Sequence, residues 1–453
     1  MEPFHYHVFV CDQQKPEGAP CCATRGSAKV IETLRKEVGN RGLSNDVQIT
    51  PCASLGLCDR GPNMVVYPEG VWYSNVMPQD VPEIVANHFQ AGRVVERLVN
   101  KDAAALKAEI LANRDKALAA QRAQEAAGVL PDELNRTLRG FQESRVLLTA
   151  IELDLFTAVG SGARADEVAA RTGTLPRATE MLMNALVAMG WLTKQAGVFS
   201  NSSVSTRYFV AGSADDWRAA TLHLAHLWQT WSTLTDCLRA GTSVLRQEAA
   251  ERDEEWTRAF IAAMHRNARA RAPMVVGAVG TEGVTRMLDV GGGSGAYSIA
   301  FANAKENLEV DLLDLAEVIP IAQGHIESAG LAGRIRTRQG DLCADKFGEG
   351  YDLVLVSAIC HMLGAEENKD LLKRCFEALD PKGRVVIQDF ILEPDRTAPK
   401  SATLFALNML VGTRAGSTYT EAEYAGWLRD AGFQEVRHVR LPGPSGLIIA
   451  TRG

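Results

Sequence analysis

The sequence predicts an α/β fold in which a doubly wound, mostly parallel sheet follows a helical segment and a small α/β unit. From Gly283 onward the apolar strand-like segments MLDVGGG, VDLLDL, DLVLVSA, RVVIQDF and GLIIATR alternate with helical segments, a rhythm typical of parallel sheets with crossover helices. From Asn135 to about Ala272, apolar residues recur every three to four positions, which indicates helices. Together these patterns predict a C-terminal Rossmann-like sheet behind a central all-α domain.

Length, composition and charge limit the class of protein. The 453 residues are 46% hydrophobic and 23% charged, as in globular proteins of about three domains. A net charge of -7 and the absence of long basic runs exclude the nucleic-acid backbone as a partner. The first residues lack a signal-peptide pattern, and no apolar run reaches the ~18 residues of a membrane span. We therefore expect a cytoplasmic protein with no membrane partner.

Four segments follow one another along the chain. Residues 1–97 form a small α/β unit, with the strand HVFV, a helix from Ser27 to Val38, the hairpin NMVVYP and VWYSNV, and a short helix from Val81. Residues 98–134 are rich in alanine and charge, which favours a helical linker. Residues 135–272 have the helix-turn-helix and hairpin order of a winged helix, without a basic face for nucleic acid. Residues 273–453 contain the sheet.

A glycine-rich turn follows the first strand of the sheet in RMLDVGGGSGAYSIAFA. Because Gly291, Gly293 and Gly295 lack a Cβ, the backbone can turn tightly and approach a ligand. Asp314 follows after about 20 residues, at the end of a second strand, where a carboxylate can accept hydrogen bonds from ribose hydroxyls. A dinucleotide satisfies this pair of features as well as any other nucleoside ligand does.

Further residues favour S-adenosylmethionine over a dinucleotide. Asp289, just before the turn, can meet a cationic ligand, and S-adenosylmethionine carries an ammonium and a sulfonium. Asp341 and Leu342 end another predicted strand, which suits contact with an adenine amino group and ring face. The predicted cofactor-binding residues are Asp289, Gly291, Gly293, Gly295, Asp314, Leu315, Asp341, Leu342 and Ser357.

Taken in this order, LDVGGGSG, DLLDLAEVI and the Gly-Asp after a strand resemble the motifs of class I methyltransferases. Residues 135–453 are similar to the plant-type O-methyltransferase family, whose members act on caffeate-type, hydroxyindole, carotenoid and bacteriochlorophyll-precursor acceptors. The resemblance implies a homodimer formed through FQESRVLLTAIELDLF and a small hydrophobic or aromatic acceptor. Four residues resemble positions that line the acceptor pocket, although ordinary helix packing explains each equally well: Trp228, Trp231, Phe260 and Met264.

His361 follows the strand DLVLVSA by a few residues and matches the histidine of the family's ICHDW motif. The resemblance implies that His361 is the general base and that Asp389, in VVIQDFIL, orients it. The Asp-Trp after the family histidine is Met362-Leu363 here, and the second orienting acid is replaced by Thr418. We therefore expect a weakly oriented base. O-methyl transfer is favoured, and transfer to carbon or sulfur stays open.

Five of the nine cysteines lie within the first 58 residues, and crowded cysteines in a reducing compartment indicate a metal site. VFVCDQQKPEGAPCCATRGS and LGLCDRGPNMVVYPEGVWY resemble the thioredoxin-like 2Fe-2S ferredoxins. The resemblance implies a cluster, although Ser54 stands where the third ligand is usual. A degenerate domain without a cluster is the alternative, and zinc is disfavoured because CxxC pairs are lacking. The predicted ligands are Cys11, Cys22, Cys52 and Cys58, with Cys21 in reserve.

These patterns predict an S-adenosylmethionine-dependent methyltransferase with an N-terminal module that senses redox state or exchanges electrons with a partner protein. Two other classes of protein stay open. One is an iron-sulfur electron carrier whose methyltransferase fold is inactive, and the other is a regulatory protein that binds the cofactor without turnover.

Overall fold

The computed structural model describes residues 3–15, 19–245 and 254–453. The chain divides into two compact units, Met1–Phe141 and Gln142–Gly453. Within the described ranges, no helix has the length and apolar character needed to cross a membrane.

The first unit is built on a four-stranded sheet in the order β2-β1-β3-β4. β1 pairs in parallel with β2 and antiparallel with β3. Val8, Val10 and Leu34 are fully buried between the sheet and the helices. The elements are β1 (Tyr6–Cys11), α1 (Ser27–Asn40), β2 (Val47–Cys52), β3 (Met64–Tyr67), β4 (Val71–Tyr73), α2 (Val81–Ile84), a π-helix (Val85–Gln90) and α3 (Ala103–Ala126).

The predicted strands, hairpin and helices of residues 1–97 are therefore present, together with β2, which the sequence did not predict. β2 reads VQITPC, and its polar residues and Pro51 hide the alternation of a strand. The predicted linker helix is α3, which exposes nearly all of its residues. The likeness of this unit to ferredoxins stays a prediction.

The helical part of the second unit surrounds a two-stranded wing. Its core contains the fully buried Leu155, Met183 and Phe199. The elements, including the helix that spans the division between the units, are α4 (Asp132–Glu152), α5 (Leu155–Val159), α6 (Ala165–Thr172), α7 (Pro176–Ala188), β5 (Leu192–Gln195), β6 (Val198–Asn201), α8 (Ser203–Phe209), α9 (Arg218–Ser232), α10 (Leu234–Ala240) and α11 (Glu254–Val279). α11 continues past the predicted end at Ala272, because Pro273 lies inside the helix without ending it.

The remainder forms a seven-stranded sheet in the order β14-β15-β11-β10-β7-β8-β9. The strands are β7 (Arg286–Val290), β8 (Glu309–Asp314), β9 (Ile335–Gln339), β10 (Tyr351–Ser357), β11 (Leu379–Asp389), β14 (Phe433–Arg440) and β15 (Gly446–Arg452). The helices are α12 (Ala296–Ala304), α13 (Ile319–Ser328), α14 (Ala365–Ala378), α15 (Lys400–Gly412) and α16 (Glu421–Asp430). A small parallel pair joins β12 (Ile391–Leu392) to β13 (Tyr419–Thr420).

The five strands from β9 to β11 are parallel, and β15 is antiparallel to both of its neighbours. The mostly parallel, doubly wound sheet is thus confirmed. Burial on both faces explains why its strands are unbroken apolar runs: Val354 and Val356 pack in one layer, while Leu353 and Leu355 pack in the other.

Candidate active site

The order of the strands reverses between β7 and β10. From β7 the chain continues outward to β8 and β9, and it then returns to β10 and β11 on the other side. Crevices outside the carboxyl ends of such strands are the usual ligand sites of open α/β sheets. The loops that follow β7 and β10 contain the predicted glycine turn and His361.

The glycine turn brings backbone close to the loop after β10. The predicted glycines Gly291, Gly293 and Gly295 have φ of 66°, 57° and 77°, which side-chain-bearing residues rarely adopt. A Cβ on Gly291 would lie 2.4 Å from Ile359 Cδ1 and 3.5 Å from Leu342 Cδ2. The crevice is therefore narrow at this point, and only a residue without a side chain fits.

Asp289, at the end of β7, is a buried acid with an unused oxygen. Its Oδ2 accepts a hydrogen bond from Ser298 at 2.6 Å, whereas Oδ1 is buried and has no hydrogen-bond partner among the described residues. Burial raises the pKa of Asp289 to about 6. A buried carboxylate oxygen without a hydrogen-bond partner is stabilised most by a cationic or hydrogen-donating ligand group.

Asp314, at the end of β8, accepts a hydrogen bond from the glycine turn. Its Oδ2 accepts from the Gly293 N–H at 2.7 Å and its Oδ1 from the Leu315 N–H at 2.8 Å, and burial raises the pKa of the carboxyl group. Each carboxylate oxygen can accept a second hydrogen bond. The acid therefore keeps acceptor capacity for ligand hydroxyls.

The other predicted cofactor residues divide into two groups. Leu342 borders the crevice at Gly291, and Asp341 is an exposed acid that accepts from the Cys343 N–H at 2.7 Å. Ser357 instead donates to Gln388 Oε1 at 2.6 Å, on the neighbouring strand. The structure thus brings the acids and glycines to one edge of the sheet, and it engages the Ser357 hydroxyl with the neighbouring strand.

His361 and Asp389 form a buried pair at the same edge. His361 Nδ1 lies 2.7 Å from Asp389 Oδ1, and the His361 backbone N–H donates to Asp389 Oδ2 at 3.0 Å. The expected weak orientation of the base is therefore wrong, because one carboxylate holds both the ring and the backbone of His361. Thr418, in place of a second acid, donates to the Ala402 carbonyl oxygen and takes no part in this pair.

An aromatic pair stands beside His361. Phe390 and Phe405 stack with centroids 3.9 Å apart, and the Phe405 ring is perpendicular to the His361 ring at 4.8 Å. Nearby on α15, Asn408 Oδ1 accepts from Trp231 Nε1 at 2.8 Å. The sequence analysis missed Phe390, Phe405 and Asn408: Phe390 follows Asp389 within VVIQDFIL, and the other two lie in an apolar helix without a motif.

Helix α11 contacts the glycine turn through His265, another residue that the sequence analysis missed. His265 Nδ1 lies 2.8 Å from Ser294 Oγ, and its ring stacks on His325 at 3.9 Å. Burial, followed by the neighbouring His325 and Arg269 charges, lowers the pKa of His265 to about 4. His265 is therefore neutral near pH 7 and hydrogen-bonds the turn without adding charge.

The remaining predicted pocket residues lie on helices α9 and α11. Trp228 lies under the Arg145 guanidinium at 5.6 Å, and the Phe260 and His223 rings meet edge to face with centroids 5.1 Å apart. Met264 is half-buried. Their role in acceptor binding stays a prediction.

The N-terminal cysteines are only partly brought together. The neighbouring Cys22 thiol lowers the pKa of Cys11 to about 6, and Cys22 Sγ accepts from Asn63 Nδ2 at 3.6 Å. Cys52 is the register partner of Cys11 on β2, and Cys58 Sγ lies 3.6 Å from the Ser54 hydroxyl. Among the residues with described positions, no three or more Cys, His, Asp or Glu side chains are grouped to hold a metal ion.

The predicted ligand set Cys11, Cys22, Cys52 and Cys58 is therefore not supported as a four-thiolate cluster by the described positions, and it stays a prediction. Cys58 Sγ is directed to the Ser54 hydroxyl. Cys21 contacts the Thr24 hydroxyl at 3.3 Å and does not complete the set.

Two family models match the second unit. An O-methyltransferase dimerisation domain matches residues 135–211, and an O-methyltransferase domain matches residues 237–434. The 3-hydroxy-5-methyl-1-naphthoate 3-O-methyltransferase of Streptomyces sahachiroi is 34% identical over 330 residues, which cover 71% of this chain and 95% of that protein. The chain belongs to the O-methyltransferase family. It is an S-adenosylmethionine-dependent methyltransferase.

Other relatives agree with this assignment. The tetracenomycin polyketide synthesis 8-O-methyl transferase of Streptomyces glaucescens is 30% identical over 335 residues, 71% of this chain and 97% of that protein. A solved O-methyltransferase family protein from Burkholderia thailandensis is 26% identical, with a TM-score of 0.66, and the match covers 72% of this chain and 99% of that one. The two family models begin at residues 135 and 237, so neither includes the four-stranded sheet of the first unit.

We expect Gly416 to be needed for the position of His361. A Cβ on Gly416 would lie 2.4 Å from the His361 carbonyl oxygen and 2.6 Å from Thr413 Oγ1. Gly416→Ala should therefore lower the free energy of unfolding by about 1–3 kcal/mol through overpacking, as measured by urea denaturation. Gly412→Ala is the matched control, since a Cβ there meets nothing within 4 Å. Equal free energies of unfolding in the two variants would contradict the predicted steric crowding at residue 416.

We expect the affinity for S-adenosylmethionine to rise as the pH increases through about 6. Asp289 is protonated below its raised pKa and ionised above it, and the ionised form binds a cationic ligand better. Calorimetric titrations from about pH 5 to pH 8 measure this dependence. Asp289→Asn should abolish it, whereas Ser298→Ala, which removes a hydrogen bond that lowers the pKa, should move the midpoint upward. An unchanged profile in Asp289→Asn would show that another group is responsible.

Proposed function

We propose that this methyltransferase methylates a hydroxyl oxygen of a small aromatic acceptor, with His361 as the general base. The observation that carries the proposal is the 2.7 Å contact between His361 Nδ1 and Asp389 Oδ1. It commits Nδ1–H to the carboxylate and leaves Nε2 as the nitrogen that can take a proton. A base held in this way suits an acceptor that must lose a proton when it reacts.

The chain's own residues supply orientation and proton transfer. S-adenosylmethionine supplies an electrophilic methyl group on a sulfonium, which departs as a neutral thioether. His361 Nε2 removes the hydroxyl proton while the acceptor oxygen forms its bond to the methyl carbon. Asp389 stabilises the resulting imidazolium through the bond to Nδ1, as a buried carboxylate does for other catalytic histidines. The firm orientation of His361 favours an O–H acceptor over carbon or thiol acceptors that are already nucleophilic.

An aromatic acceptor is supported by the surroundings of His361. Phe390 and Phe405 are half-buried and stacked, and they offer ring faces and edges beside the base. Asn408, on the same helix as Phe405, can exchange hydrogen bonds with a polar substituent. The name of one relative specifies a hydroxylated naphthoate. We therefore infer a planar, hydroxylated aromatic ring as the acceptor class.

We also infer a homodimer. Residues 135–211 match a dimerisation domain, and this region exposes large apolar side chains. Leu175 and Met181 are 75% and 60% exposed, which is more readily explained by a partner surface than by contact with water.

The test of the catalytic proposal is His361→Ala. We expect kcat to fall by about 10²–10⁴-fold while S-adenosylmethionine affinity stays within about twofold, because His361 acts on the acceptor. Transfer of radiolabelled methyl to 3-hydroxy-1-naphthoate measures turnover, and calorimetry measures binding. His438→Ala is the control, because its side chain pairs with Glu421 outside the crevice. Near-normal turnover by His361→Ala would refute the role of this base.

We propose further that the first unit responds to redox state through Cys11 and Cys22. Both side chains are buried, and each changes the pKa of the other, lowering that of Cys11 and raising that of Cys22, which favours a dithiol over the four-thiolate cluster predicted from the sequence. Oxidation to a disulfide removes two electrons and two protons from the thiols, and hydrogen peroxide accepts both and becomes two water molecules. Peroxide is small enough to enter a buried site.

Two measurements distinguish the dithiol from a cluster. After peroxide treatment and alkylation of free thiols, peptide mass spectrometry should show a bond between Cys11 and Cys22 in the wild type and none in Cys11→Ser. Cys343→Ser is the control, because Cys343 is exposed on the second unit. Iron and acid-labile sulfide in anaerobically purified protein would instead establish the cluster and overturn the dithiol.

A further inference from the structure

The Asp389 carboxylate accepts more hydrogen bonds than the pairing with His361 requires. Oδ1 accepts from His361 Nδ1 at 2.7 Å and from the Phe390 N–H at 2.8 Å. Oδ2 accepts from the His361 N–H at 3.0 Å and from the Tyr424 hydroxyl at 3.3 Å. Three of these donors belong to His361 and to the residue after Asp389. Tyr424 alone among them comes from a separate element, α16.

We propose that Tyr424 is a positioning residue for methyl transfer, which acts through Asp389 in place of the absent second acid. The proposal rests on the proposed function, in which His361 is the base. Tyr424 gives Oδ2 a second hydrogen bond, from a separate helix, beside that of the His361 N–H, and so opposes rotation of the carboxylate about its Cβ–Cγ bond. Oδ1 therefore stays aligned with His361 Nδ1, and the ring keeps Nε2 directed to the acceptor.

The burial of Tyr424 makes it a permanent donor. Its side chain is completely buried, and it packs against Tyr419 and Trp427 with ring centroids 6.0 Å and 5.6 Å away. Burial, followed by the Asp389 charge, raises the pKa of the phenol well above its usual range. The hydroxyl therefore carries its proton near neutral pH, and a buried phenol needs such an acceptor.

The other titratable groups around Asp389 do not change charge near neutral pH. Cys360 lies on the turn before His361, and burial, then the Asp389 charge, raises the pKa of its thiol well above the usual value. Tyr419 precedes α16, and burial raises the pKa of its phenol to about 12. Loss of the Tyr424 hydroxyl would therefore change the protonation of His361, but not that of Cys360 or Tyr419.

The first test needs no acceptor. Histidine side-chain NMR of the full chain gives the titration midpoint of His361, whose signal is assigned by its loss in His361→Ala. In Tyr424→Phe the carboxylate loses a donor and attracts the His361 proton more strongly, so the midpoint should rise by about half a pH unit. Tyr419→Phe is the matched control: its hydroxyl donates to the Leu363 carbonyl oxygen and does not reach Asp389.

The second test uses turnover with 3-hydroxy-1-naphthoate. Tyr424→Phe should lower kcat by about tenfold, shift the acidic limb of the pH–rate profile upward and leave both KM values within about twofold. In an Asp389→Asn background the same substitution should have no further effect, because both changes act through one carboxylate. Circular dichroism verifies folding of each variant.

The outcomes separate this proposal from the proposed function. An unmoved NMR midpoint in folded Tyr424→Phe would overturn the positioning role whether or not the acceptor is methylated. A full additional loss in the Asp389→Asn background would also overturn it, since Tyr424 would then act on something else. A shifted midpoint together with no methylation by wild type would leave the positioning role intact and refute the acceptor class.

Discussion

The hydrogen bond between His361 and Asp389 joins the ends of two neighbouring strands, and the arrangement of the candidate active site depends on it. β10 and β11 are paired so that Ser357 faces Gln388, which places Asp389 one residue further, beside the loop that contains His361. Because side chains alternate along a strand, a shift of one residue would direct Asp389 to the other face of the sheet. The register is fixed by two apolar layers, so the stability of the core also determines the geometry of the base.

A buried carboxylate is costly unless its oxygens are satisfied, and the two buried acids of this edge differ in this respect. Asp389 is fully hydrogen-bonded by residues of its own surroundings and serves as a fixed part of the site. Asp289 keeps an unused oxygen and a raised pKa. The first arrangement holds His361 in one orientation, and the second leaves electrostatic capacity for a ligand. This difference supports the proposal that Asp389 serves the acceptor side and Asp289 the cofactor side.

Much of this architecture could be predicted from the sequence, because burial on both faces produces unbroken apolar strands and because the glycine turn and His361 occupy recognisable motifs. Tyr424 and His265 could not be predicted. Their partners lie 35 and 29 residues away, in elements that meet only after folding, and local periodicity carries no information on such contacts. The cysteine set illustrates the same limit, since spacing reveals which thiols are available but not the direction in which loops turn them.

The position of β15 has a consequence for synthesis of the enzyme. β15 follows β14 along the chain, yet it lies inside the sheet between β11 and β14, and its Gly446 is paired with Asp389. On the ribosome, β11 therefore has an unpaired apolar edge until residues 446–452 have emerged. Such edges invite association between nascent chains. Asp389 consequently finds its partner on β15 only after all of the residues between them have been made, so the edge that carries the proposed site is completed late.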